Sequence, residues 1–115
     1  MHFEMKQITI QPVNSESVIW ARITDKANFV FEYYNGGGEM GDWSHFIIVP
    51  EKDLPTLVAA LKAAGLWHPG GDEGDAILRS VEHRFTGYDN LSGWLAANQI
   101  PIDTTSNGMG YEPDV

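Results

Sequence analysis

The first half of the chain reads as strands, with period-two alternation of apolar and polar residues clearest over 27–34, and apolar residues then recur with a helical period. Lys6–Val13 sets Ile8 and Ile10 two apart, and Pro12 confines that strand to a sheet edge or an end. Ser17–Thr24 is rich in strand formers (Val18, Ile19, Trp20, Ile23), and Asp25-Lys26 is short and polar enough to turn the chain. From Ala27 to Tyr34 the alternation is clean: Ala27, Phe29, Phe31 and Tyr33 on one face, Asn28, Val30, Glu32 and Tyr34 on the other. The glycine-rich run Asn35–Asp42 reads as a mobile loop and His45–Val49 as the next strand. Together these predict an antiparallel meander of three or four strands.

The period then changes. Leu54, Leu57, Val58, Leu61 and Ala64 form one stripe of a helix, with Asp53 as the expected N-cap, Pro55 in the first turn and Gly65 as the terminator. Leu66 and Trp67 can fold back on that stripe, which should pack across the sheet. His68–Asp75 is a polar break. Asp75 is then read as the cap of a second helix carrying Ile77, Leu78, Val81 and Phe85. A strand is the alternative over 76–86, because Val81, His83 and Phe85 also alternate. Asn90–Asn98 reads as a third helix bearing Leu91, Trp94 and Leu95, stopped by Pro101. The expected class is α+β: an antiparallel sheet of about four strands, one helix packed across it, and a mostly helical C-terminal part. A single domain is expected over 1–102, followed by a tail, 103–115, either loosely ordered or docked only against a partner.

Composition narrows the function more than the fold. A chain of 115 residues suits one domain, and 43% hydrophobic against 20% charged residues is the balance of a globular protein. Sixteen acidic side chains against seven basic ones give a formal charge of -9. The excess is uneven, with a net of -3 over residues 1–71 and -6 over 72–115, and no basic residue follows Arg84. Nucleic-acid binding is disfavoured, since neutralising phosphates takes clustered Lys and Arg. The absence of cysteine excludes disulfides and thiolate chemistry. The first residues lack the basic and apolar regions of a signal peptide, and no apolar run is long enough to cross a membrane, so cytoplasmic residence is the expectation.

No chemical motif stands out. Gly36-Gly37-Gly38 lacks the GK[ST] and the following helix of a phosphate loop, and Glu39 and Asp42 would repel a phosphate. The histidines at 2, 45, 68 and 83 have no metal-ligand spacing. Asp72, Glu73 and Asp75 beside His68 offer oxygen ligands without the pattern of a calcium loop. No serine lies in a nucleophile elbow, and Glu82 and His83, as helical neighbours, point in different directions. The expectation is therefore a protein without catalytic activity, metal or cofactor. The aromatic residues are numerous. Most belong to the core by position, whereas Tyr88 and Tyr111 stand in acidic, base-free surroundings suited to a protein interface.

The run Phe29–Tyr34, a glycine-rich loop, Phe46–Val49 and the helix after it resemble the strand–loop–strand–helix rhythm of the coactivators that bind single-stranded DNA. The likeness covers less than a third of the chain. Where that family places basic residues, Glu32, Glu39 and Asp42 stand here, so the resemblance implies topology and not DNA binding. The function expected from the charge is a small acidic protein-binding domain, an inhibitor of the immunity kind that neutralises a basic toxin or nuclease. Asp72, Glu73, Asp75, Glu82, Asp89 and Asp103 would supply the charge, with Tyr88, Trp94 and Tyr111 as anchors. A self-associating regulatory or assembly module and an enzyme with a dispersed carboxylate site are the alternatives. The sequence leaves the oligomeric state open.

Overall fold

The computed structural model describes residues 6–12, 17–24, 26–38, 41–85 and 88–108. Strands β1 (Lys6–Pro12), β2 (Ser17–Ile23), β3 (Phe29–Gly38) and β4 (Gly41–Val49) follow one another as an antiparallel meander. Helices α1 (Leu54–Ala63), α2 (Glu73–Arg84) and α3 (Tyr88–Ala97) come next, and β5 (Asp103–Gly108) then returns to pair with β4. The α+β class is as expected, with five strands in the order β1-β2-β3-β4-β5.

Several boundaries differ from the pattern, each for a local reason. The first six residues of the expected tail form β5, whose Thr104-Thr105 pair suits a strand although no apolar alternation announces one. The expected loop 35–42 is largely strand: β3 runs to Gly38 and β4 starts at Gly41, with a register shift between Asn35 and Gly38 that absorbs the glycines. Residues 73–84 are helical, not extended, because a cap at Asp72 starts the turn where the apolar spacing alone allowed either structure. Ala27 belongs to the β2–β3 turn and not to the strand, with φ +63°. There the Thr24 hydroxyl oxygen accepts from the N–H groups of Lys26 (3.3 Å) and Asn28 (3.2 Å). Asp53 precedes α1 without capping it by its side chain, since a single 3-10 turn, Glu51–Asp53, leads into the helix with Asp53 already in helical backbone geometry.

Period-two patterning places Ile19, Ala21, Ile23, Phe29, Phe31, Ile47 and Val49 on one face of the sheet. All three helices bury their apolar residues in the same cluster: Leu57, Val58 and Leu61 from α1, Ile77, Leu78 and Val81 from α2, Leu91 and Leu95 from α3. Ile8 and Ile10 of β1 pack at its margin. Each fully buried side chain of this kind contributes roughly 1.5–3 kcal/mol, so this layer dominates the stability. The opposite face holds a smaller cluster, Val30, Phe46 and Ile48, to which no described helical residue belongs.

Candidate functional site

The acidic residues singled out in the sequence divide by role. Asp72 is the N-cap of α2. Its carboxylate accepts from the Asp75 N–H at 2.9 Å, and the Asp75 carboxylate accepts from the Asp72 N–H at 3.3 Å, a reciprocal box. The cap is therefore one turn earlier than the apolar spacing suggested. Gly71 has φ +64°, and a Cβ there would collide with the Asp75 carboxylate, so the box requires glycine before it. Asp72 and Asp75 are thus occupied in starting the helix.

Glu73 and Glu82 are exposed, one in the first turn of α2 and one in the last. Nine residues separate them, about two and a half turns, so they leave the helix on opposite sides. Asp75 and Glu82, about two turns apart, share a side with the exposed Arg79 between them. Asp103 is exposed at the start of β5, whereas α2 packs against β1 and β2 at the other edge of the sheet. The fold therefore does not gather the six acids into one patch. Trp94 is half-buried, its ring 5.2 Å from that of Phe85, so it closes the α2–α3 corner of the core. Tyr88 and Asp89 occupy the first turn of α3; their side chains, and the whole of Tyr111, lie outside the described residues.

The structure adds groups that linear spacing did not reveal. On the second sheet face Arg22 (3% exposed), Glu32 (5%) and Ser44 (0%) are joined in a buried hydrogen-bonded network. The Arg22 Nη1 donates to Glu32 Oε1 at 2.8 Å and the Ser44 hydroxyl donates to Glu32 Oε2 at 2.8 Å. The Arg22 guanidinium also lies 6.0 Å above the Phe46 ring. Both carboxylate oxygens are thus engaged, so the network acts as an internal tie across β2, β3 and β4. Beside it the Trp20 and Tyr34 rings meet at 5.7 Å.

A second association joins the segment after α1 to α2. The rings of His68 and His83 stand 4.2 Å apart, although no sequence spacing pairs them. The His68 N–H donates to the buried Ser80 hydroxyl at 2.8 Å, and that hydroxyl donates to the Ala76 carbonyl at 2.7 Å. Lys62 Nζ lies 5.1 Å over the Trp67 ring in the same region. Between β1 and α2 an open groove of about 350 Å³ is lined by Gln7, Ile8, Asp75, Leu78 and Arg79. Among the described residues no group of three or more His, Asp or Glu side chains is placed to hold a metal ion, and no helix is long and apolar enough to cross a membrane.

Comparison with protein-family profiles, with curated proteins and with solved structures finds no match to this chain.

Proposed function

We propose that this chain is a small acidic protein-binding domain that docks on a basic protein, as an immunity protein or inhibitor does on a toxin or nuclease. The observation that carries the reading is the fate of the scarce positive charge. Of seven basic residues, Arg22 is buried against Glu32, so at most six remain to face a partner, against as many as fifteen acids. Such a surface attracts a cationic protein over roughly a Debye length, about 8 Å at physiological salt. Two observations support the reading: Glu82 is exposed in the last turn of α2, and Trp94 is half-buried with its ring beside that of Phe85. In this reading Glu73 and Glu82 speed the encounter and the aromatic residues slow the release.

The test is capture of partners on the tagged chain from its native lysate, released by a salt gradient. A basic polypeptide should elute at high salt. Glu73→Gln with Glu82→Gln should lower its association rate severalfold and flatten the salt dependence. Those two positions serve because neither belongs to the capping box, so the variant keeps the helix start. A partner whose rate ignores both substitutions, or no basic partner at all, would remove the reading.

A further inference from the structure

The two edges of the sheet are unlike. β1 carries three features that discourage pairing: Lys6 at its start, a register break between Thr9 and Gln11, and Pro12 at its end. Helix α2 also packs against it. β5, Asp103-Thr104-Thr105-Ser106-Asn107-Gly108, has no proline, lysine or bulge, and it pairs with β4 in unbroken register along all six residues. Among the described residues no strand lies on its outer side.

We propose that β5 pairs antiparallel with β5 of a second copy across a two-fold axis, extending the sheet from one molecule into the next. Along an edge strand only every second residue turns its backbone N–H and C=O outward. A two-fold pairing must therefore set some residue opposite itself. Centring on Thr105 places Thr104 opposite Ser106 and Asp103 opposite Asn107, so no like charges meet. It also separates the two Asp103 residues by four residue rises, about 14 Å, beyond the ~8 Å screening length. Centring on Thr104 would halve that separation along the strand, and centring on Ser106 would leave Asp103 beyond the paired segment. The contact is short, below the roughly 1,200 Å² of a standard specific interface, and each copy carries a charge of -9. The dimer is consequently weak and grows stronger with salt. The proposal does not rest on a basic partner, whose binding would weaken under the same change.

Sedimentation equilibrium of the full chain, from about 10 μM to 1 mM protein at low and high salt, tests it. The average mass should rise from 12.8 kDa toward twice that value, and further at high salt. Thr105→Lys and Thr105→Glu, each facing its own copy, should separately weaken association by at least about tenfold, and an equimolar mixture of the two should restore it. Hydrogen exchange on the unaltered protein needs no variant: the outward-facing amides, every second one of 103–108, should gain protection as the concentration rises. A mass fixed at 12.8 kDa, growth past the dimer, protection independent of concentration, or a folded charged variant that associates as tightly as the parent would overturn the proposal.

Discussion

Arg22 and Glu32 sit ten residues apart in sequence and touch only because a tight turn sets Ile23 opposite Phe29, bringing the second face of β2 against that of β3. Burying two charges is favourable only when each is paired and hydrogen-bonded, so the network is most exposed to the loss of one member. Arg22→Met or Glu32→Gln alone should cost about 3–5 kcal/mol in urea unfolding, because an uncompensated polar group or charge stays behind. The double replacement Arg22→Met with Glu32→Leu should recover most of that loss. A double variant as unstable as the two single losses combined would mean that the pair contributes through shape and not charge. Ser44→Ala, which strips a donor from Glu32 Oε2, should cost about 1–3 kcal/mol. The alternation in β3 was legible and correctly set Glu32 on the face opposite Phe29 and Phe31. Which arginine answers Glu32 was not, because register depends on where a turn closes, and no single residue encodes that. The same holds for His68 and His83, brought together by a helix and the segment that crosses beside it.

At the scale of elements, the ends of α1 and α3 make an instructive pair. Both close with the same two backbone bonds: Leu66 N–H to Leu61 O with Gly65 N–H to Lys62 O, and Ile100 N–H to Leu95 O with Gln99 N–H to Ala96 O. The left-handed residue is Gly65 (φ +72°) in the first and Gln99 (φ +57°) in the second. Glycine announced its helix end in the sequence, whereas glutamine has no preference for that conformation and announced nothing. A side chain there costs about 1–2 kcal/mol, part of which glycine returns through the entropy of the unfolded chain. Gln99→Gly should therefore stabilise the protein by about 0.5–1 kcal/mol, read as a higher denaturant midpoint with unchanged slope. An unchanged or lower midpoint would show that exposed Gln99 offsets its strain. At the start of α2, Asp72→Ala should cost about 1 kcal/mol. Gly71→Ala should cost more, since it adds a collision with Asp75 to an unfavourable φ. The apolar stripes of α1 and α2 were readable because 3.6-residue spacing is local; the exact cap of α2 was not, since Asp72 and Asp75 are equally good capping residues until their mutual bonds are known.

For the whole molecule, the order of elements makes the last strand complete the first four. The chain leaves β4, builds all three helices over one face, and returns beside the strand it left. The charge imbalance was legible from composition, but its spatial division was not: α2 holds Glu73 and Glu82 near β1 and β2, while β5 carries Asp103 to the far edge. β5 escaped notice because Asp-Thr-Thr-Ser-Asn-Gly has no apolar side to mark a face, and its partner is a strand more than fifty residues earlier. A chain ending at Ile102 should therefore be less stable than one ending at Gly108, a comparison that isolates the six residues of β5. Phe46 and Ile47, which pair with Thr105 and Thr104 and are fully buried, would lose that neighbour. Exposing on the order of 100 Å² of apolar surface costs about 2.5 kcal/mol. The shorter chain also presents β4, the most apolar strand end of the sheet, as a bare edge, so it should aggregate on heating where the longer one does not. Thermal unfolding followed by light scattering measures both effects. Equal midpoints and equal scattering would mean that β5 rests on the sheet without supporting it, and a strand held so lightly could not carry a second copy of the molecule on its outer side.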